Sequence, residues 1–331
     1  MSQPQNSTAA WRETVARYQE PNHRHALWQI ASSFLPYFVL WYCMYRSLEL
    51  SYWLTLGLAV VAAGFLTRMF IVLHDCGHGS FFKTRRKNDL LGWFAGVLIF
   101  TPYHYWRHTH AVHHATVGNL ERRGVGDIWT MTVREYRDSS WWRRLQFRLY
   151  RNPLVLFLLL PPYIFFVHHR FASLRAGWRW HLSVLWSNLA ILIVAAFASA
   201  MMGFKAYLLI QVPVMTIAAV VGIWLFYVQH QFEGVYWEQQ KTWDFYTAAM
   251  KGSSFYKLPK LLQWFSGNIG FHHIHHLSPR IPNYFLEKCH QENPMFQKVK
   301  TLSLLGSLRS IRYRLWDEER QQLVGVGTAW L

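Results

Sequence analysis

Uncharged, largely apolar runs occupy residues 25–45, 50–67, 90–106, 152–169, 180–204 and 206–232. About 20 apolar residues suffice to cross a bilayer core as a helix. Four runs qualify: the first, the last two, and the second if it extends to Leu73 with Arg68 snorkelling to the nearby interface. Run 90–106 carries Pro102 and His104, and run 152–169 is interrupted by Pro161 and Pro162. Both are expected to lie in the interface, or to dip in and return. The pattern predicts an all-α integral membrane protein with four transmembrane helices in two hairpins, near 28–48, 51–73, 182–203 and 206–228. Interfacial segments near 90–103 and 153–168 and a cytoplasmic helical cap complete it. Leu304, Leu308, Ile311 and Leu315 recur at a helical period, so 304–316 is expected as an amphipathic helix on the cap or on the membrane.

Charge orients this arrangement. Basic residues crowd 82–87, 107–151, 170–179 and the tail after 233, whereas the short connections inside the two hairpins hold little beyond Arg46 and Lys205. By the positive-inside rule the crowded segments are cytoplasmic. The first 22 or so residues are polar and lack a secretory apolar core, so 1–27 is expected as a cytoplasmic tail preceding one domain over 28–331. No internal repeat is evident. The chain of 331 residues is 52% hydrophobic and 18% aromatic but only 15% charged, against about 25% charged in a typical soluble domain. Its formal net charge of +17 also raises nucleic acid as a partner. Next to spans, however, WWRRLQFRLYR at 141–151 and WRWH at 178–181 read as Arg and Trp contacts to lipid headgroups. Membrane lipids are therefore the expected partner, and nucleic acid is not. Cys43, Cys76 and Cys289 form no disulfide framework, since one is in a span and the others face a reducing compartment.

Histidines supply the candidate chemistry. HDCGH at 74–78, HAVHH at 110–114 and HHIHH at 272–276 place His74/His78, His110/His114 and His272/His276 four residues apart, with His113 and His275 at the intervening three-residue spacing. On helices each set projects from one face. His230, at the cytoplasmic end of the last span, is a ninth candidate. Imidazole suits zinc, copper, iron and nickel alike. One tetrahedral zinc needs four ligands, so nine imidazoles are read most economically as two metal ions with about four each. E-x-x-H at Glu20–His23 and Glu287–His290 matches part of a carboxylate-bridged bundle, but the first holds Pro21 and the spans carry no further carboxylates. His104, His108 and His273 read as neighbours of the boxes, His168, His169 and His181 as interfacial, and His23, His25 and His290 as surface. Cys76 is expected to pack beside the cluster, and Asp75, Glu233 and Asp244 are candidates to orient ring N–H groups.

The ordered trio HDCGH, H-x-x-HH and H-x-x-HH, with its placement relative to two hydrophobic hairpins, resembles the membrane fatty acid desaturase family over roughly residues 35–320. The flank GNIGFHHIHHLSPRIPNY is similar to its bacterial acyl-lipid branch. The resemblance implies that His74, His78, His110, His113, His114, His272, His275 and His276 hold two non-haem irons, with His230 in FYVQHQFEG matching one more ligand. Some relatives place an Asn four residues before that histidine. Phe226 stands there, and Asn268 is the candidate to compensate. The implied reaction uses O2 to introduce a cis double bond into an acyl chain presented as an acyl-lipid or acyl-thioester. Electrons would come from a separate ferredoxin-like or cytochrome-type protein, at the cytoplasmic side of a bacterial cell membrane.

Two other readings share these residues. A histidine-box hydroxylase or ketolase would apply the same metal chemistry to alkanes or carotenoids. A metal or proton transporter would favour ionisable groups in the middle of several spans, whereas here they gather past the helix ends on one side.

Overall fold

The computed structural model describes residues 5–330. In chain order its helices are α1 (Gln5–Ala16), α2 (His23–Ser47), α3 (Tyr52–His78), α4 (Arg85–Leu98), α5 (Tyr103–Thr116), α6 (Val133–Asp138), α7 (Trp141–Tyr150), α8 (Leu160–Phe166), α9 (Trp178–Met202), α10 (Phe204–His230), α11 (Phe245–Lys251), α12 (Lys260–Phe265), α13 (His272–Leu277) and α14 (Asn283–Glu292). Among the described residues three helices are long and apolar enough to cross a membrane: α3, α9 and α10. A bent pair, Trp141–Tyr150 with Val155–Arg170 at 57°, makes a fourth if it counts as one span. The expected first span exists as the 25-residue α2 but is less apolar than these three. His23, Arg24, His25, Gln29, Ser32, Ser33 and Arg46 all lie on it. The structure thus supports a mostly helical membrane protein with three or four spans.

The outer surface of the bundle is what a lipid solvent requires. Helix α9 buries only Val184 and Ser187 and leaves Leu185, Trp186, Leu189, Leu192, Ile193, Val194, Phe197 and Met201 exposed. An apolar band of that size on a water-soluble domain would be an aggregation site. On the inner side Ala59, Ala62, Leu66, Met69 and Leu73 of α3 pack with Phe34, Tyr37 and Met44 of α2 and Ile210 and Val214 of α10.

The chain is mostly helical, in keeping with the expected all-α class, and two small sheets add to it. A three-stranded sheet joins β1 (Met131–Thr132) in parallel to β4 (Leu315–Asp317), which pairs antiparallel with β5 (Gln322–Val324). A second, parallel pair joins β2 (Phe255–Lys257) to β3 (Thr301–Ser303). The amphipathic α-helix expected at 304–316 is instead a 3₁₀ stretch, Gly306–Arg312, followed by β4. Its apolar period is real, but Leu315 belongs to the strand and is fully buried, while Leu304 and Leu308 are exposed. The N-terminal tail is docked as well: α1 packs Trp11 and Val15 against Ile274 and Leu277 of α13. Residues 1–4 of that tail lie outside the described residues.

A buried cation ties the cap to the bundle. The guanidinium of Arg151, just after α7, donates to the carbonyl of Trp129 (3.2 Å), the hydroxyl of Tyr227 (3.3 Å), Oε1 of Gln231 (3.0 Å) and the carbonyl of Tyr313 (2.6 Å). All four acceptors are neutral, so the charge is solvated by dipoles in place of water. Removing it takes the side-chain donor from the Trp129 carbonyl and Gln231 Oε1 in the interior, while the Tyr313 carbonyl keeps the Tyr227 hydroxyl. Arg151→Met should therefore cost about 3 kcal/mol, read as a lowered unfolding temperature of the purified protein in detergent. An unchanged unfolding temperature would show that the network is incidental.

Candidate metal centre

Each histidine box sits at a helix end, and long-range contacts bring the ends together. The first ends α3, which stops at Gly79 in the left-handed region (φ 71°), one residue past His78. The second occupies the last turns of α5, the third fills α13, and His230 is the final residue of α10. Tyr103 at the start of α5 donates to the carbonyl of Cys76 (2.8 Å) and to Asp89 of α4 (3.0 Å), and Asp89 also accepts from Arg107 (2.6 Å). This fixes α5 against the end of α3. Asp75 then links α3 to the start of α14, just beyond the third box. Its Oδ2 accepts from the backbone N–H (2.7 Å) and side-chain amide (2.8 Å) of Asn283, while Oδ1 lies 3.1 Å from Nδ1 of His74.

All nine candidate histidines converge, in two adjoining groups that could hold metal ions. His74, His78, His110, His114 and His275 form one, with ligand atoms within 4.8 Å of one another, and His113, His230 and His276 form the other. His272 joins the second through Nε2 contacts of 2.9 Å to His230 and 3.1 Å to His276. The groups meet where the rings of His114 and His276 stack at 4.1 Å. Above them Trp106 stacks on His110 at 4.5 Å, and Phe226 packs against His113 and His230 at 5.2 and 5.3 Å.

The proton positions test whether a cation fits. Nδ1 of His113 lies 2.6 Å from Oδ1 of Asp127, and Nδ1 of His230 lies 3.1 Å from the carbonyl of Gly252. Such acceptors hold the proton on Nδ1 and leave the lone pair on Nε2. Yet Nε2 of His113 faces Nε2 of His230 at 3.3 Å. Two lone pairs at that distance repel unless a positive charge lies between them. Nε2 of His114 similarly faces both His110 (3.1 Å) and His275 (3.0 Å), and its one proton or one lone pair cannot serve both fully. Nε2 of His78 is buried without a protein partner, which a purely structural cluster would avoid. Burial, and then the neighbouring imidazoles, push His110, His114, His272, His275 and His276 well below the ordinary imidazole range. They are therefore neutral, the form that binds metal. The residues fit two closely spaced cations, and neither group contains a thiolate or carboxylate.

The remaining sequence candidates fall elsewhere. Glu233 pairs with Lys300 at 3.0 Å, and Asp244 caps α11 through the N–H of Thr247 at 2.8 Å, so neither orients a box histidine. Asn268 donates to the carbonyl of Asn283 and accepts from Gln263, tying down the loop before the third box. His273 contacts the carbonyl of Phe296 through Nε2 (3.0 Å), His108 stacks on Trp180 at 4.5 Å, and Glu287 pairs with Lys260. Cys76 is buried and contributes its carbonyl to Tyr103. Sequence reasoning missed Asp127, 13 residues beyond the second box, because a single carboxylate in a glycine-rich loop carries no periodic signal. Oδ2 of Asp127 accepts from the N–H of Gly124 at 3.1 Å, which fixes the carboxylate for His113. Asp127→Asn should weaken metal retention by about 10- to 100-fold, measured by titrating the loaded protein with a chelator. Unchanged retention would remove Asp127 from the site.

Comparison with known proteins agrees with this geometry. Residues 51–301 match the profile of the fatty acid desaturase family. A fatty acid desaturase of Bacillus subtilis (strain 168) is 49% identical over 310 residues, covering 94% of this chain and 88% of the relative. More distant relatives come from Synechocystis sp. An sn-1 acyl-lipid omega-3 desaturase (ferredoxin) is 27% identical over 67% of this chain and 62% of its own length. An sn-1 oleoyl-lipid 12-desaturase is 27% identical over 76% of this chain and 68% of its own length. The chain belongs to the fatty acid desaturase family and is an oxidoreductase acting on fatty acids.

Proposed function

We propose that the chain is an acyl-lipid desaturase of the bacterial cell membrane. It introduces a cis double bond at two irons held by His74, His78, His110, His113, His114, His230, His272, His275 and His276. The observation that carries the ligand set is the Nε2-to-Nε2 convergence across the second and third boxes and His230. On this reading His74, His78, His110, His114 and His275 serve one iron, and His113, His230, His272 and His276 the other. Bound iron supplies activation of dioxygen to an oxidant able to take hydrogen from an unactivated methylene. Two hydrogens leave adjacent carbons, and with two external electrons and two protons dioxygen becomes two waters.

What the chain itself contributes is placement and exclusion. Asp75, Asp127 and the Gly252 carbonyl keep Nδ1 of His74, His113 and His230 protonated and aim Nε2 inward. Trp106 and Phe226 cover the rings with apolar surface, which excludes water from the oxidant. The names of the cyanobacterial relatives support a glycerolipid-borne acyl chain and a ferredoxin-type donor. For topology the four-span reading places α2 with α3 and α9 with α10 as two hairpins, 28–331 as one domain and the histidines on the cytoplasmic side. Its support is the basic crowding of 107–151 and of the tail after 233.

Expression in a host supplied with saturated acyl chains should give membrane lipids lighter by two hydrogens, dependent on oxygen and on an external reductant. Lipids, alkanes or carotenoids that gain oxygen without a new double bond would transfer the function to the hydroxylase or ketolase reading. His230→Ala should lower turnover about a hundredfold or more, because ligands of one site act as a unit. His168→Ala, at an exposed position, should retain most activity in the same lipid assay. Full turnover by the His230 variant at matched iron content would remove it from the ligand set.

A further inference from the structure

The third box is reached by a loop whose depth can be measured against α3. Leaving β2, the chain enters α12, and the ring of Phe265 lies against Gly64 and Phe65. A Cβ on Gly64 would stand 2.9 Å from that ring, and the Phe65 and Phe265 centroids are 5.2 Å apart. Trp264 sits beside the same residue, its ring centroid 5.8 Å from that of Phe65. Its carbonyl accepts from the guanidinium of Arg68, which also lies 4.0 Å over its ring. The chain then turns upward at Gly267 (φ 52°), where a Cβ would be 2.8 Å from Cγ2 of Ile71. It continues into α13, whose His275 ring is 4.4 Å from that of His74. Contacts of 264–265 at 64–65, of 267 at 71 and of 275 at 74 trace the return along one helix. At 1.5 Å per residue the bottom lies about 15 Å below His74 along α3. Half a bilayer core is about 15 Å, and this stretch of α3 belongs to a span-length apolar helix.

The outward side of the loop is apolar. Leu261 is 67% exposed, and Leu262 is also exposed. Parallel pairing of Lys257 with Ser303 makes the chain leaving β3 emerge at the same end as α12. That emerging segment presents Leu304, Leu305 (78% exposed) and Leu308. It is held to the bundle at a shallower depth. Tyr256 Oη contacts Ser307 Oγ at 3.1 Å and accepts from Trp224 Nε1 at 3.3 Å. Trp224 lies six residues before His230, about 9 Å toward the membrane interior. Lys257, Arg309 and Arg312 flank the five leucines, the arrangement that anionic headgroups bordering an apolar layer favour, while Lys260 is paired with Glu287.

We propose that residues 258–267 form a re-entrant wedge which, with Leu304, Leu305 and Leu308, is inserted among the acyl chains of the leaflet on the metal-centre side. The five leucines are exposed beside loop residues that pack on the apolar span α3 about 15 Å below His74, so the occupant is bilayer hydrocarbon. The third histidine box then hangs from a membrane-embedded loop, and the centre is tied to bilayer depth from both sides.

The test uses the full chain with Cys43→Ser, since Cys76 and Cys289 are buried. Single probes of an environment-sensitive fluorophore are attached at Leu261→Cys or Leu305→Cys, with Leu54→Cys in α3 and Gln291→Cys in α14 as references. The protein is reconstituted in phosphatidylcholine–phosphatidylglycerol vesicles. Probes at 261 and 305 should be quenched by lipids brominated on the acyl chain as the probe at 54 is, and several-fold less by aqueous iodide than the probe at 291. Iodide quenching at 261 or 305 equal to that at 291 would overturn the wedge. Protection from iodide without quenching by brominated lipid would mean that a second copy or another protein covers the face, and would overturn it too. Failure of the spans themselves would appear separately, as iodide quenching at 54.

Discussion

Lone pairs pointed at one another are the constraint around which this molecule is built. Nε2 of His113, His230 and His272 approach within hydrogen-bond distance while Nδ1 of His113 and His230 is engaged elsewhere. With the Nδ1 protons of His113 and His230 held by Asp127 and the Gly252 carbonyl, no proton is left between their two Nε2 atoms. Cations relieve that arrangement, and the surrounding structure opposes the rings' natural tendency to turn away. Asp75, Asp127, the Tyr103–Asp89–Arg107 cluster and Arg151 each join two segments that are distant in sequence. Together they keep four separate helix ends aimed at one volume.

The elements that carry the ligands differ in what supports them. Helices α3 and α10, of 27 residues each, are sustained by their own length and by lipid. Helix α13 has only six residues, and isolated helices shorter than about 12 residues are marginal in water. It exists because its surroundings hold it. Ile274 and Leu277 pack into a small core with Trp11, Val15 and Leu286, and Asn283 just beyond it is bound by Asp75. The N-terminal helix is thus part of what keeps the third box in place.

Buried positive charge is handled without carboxylates. Arg151 is solvated by carbonyl, phenol and amide oxygens, and Arg68 by the carbonyl and ring of Trp264. Arg68 was expected to snorkel outward from the second span, but the structure turns it onto α12. That choice welds the descending loop to the span, since an unpaired guanidinium at that depth would be costly.

Much of the candidate site was legible in the sequence, because clustered histidines at helical spacing carry residue type and spacing together. Four-residue histidine pairs can be read as one face of a helix before any fold is known, and all nine candidates do converge. The long apolar runs were equally legible, since lipid leaves helix as the only economical backbone for such segments, and α3, α9 and α10 lie where hydropathy placed them. The partners of the ligands were not legible. Asp127, the Gly252 carbonyl and Arg151 act through single contacts that leave no period in the chain. The two small sheets pair segments as far apart as 131 and 315, or 255 and 301, and two- or three-residue strands carry too few positions for alternation to show. Depth within the membrane was decided last of all. The stretch 258–271 is too short and too mixed to read as a membrane element. Only its contacts with successive turns of α3 show how far it descends, because those are distances between residues that sequence separation cannot supply.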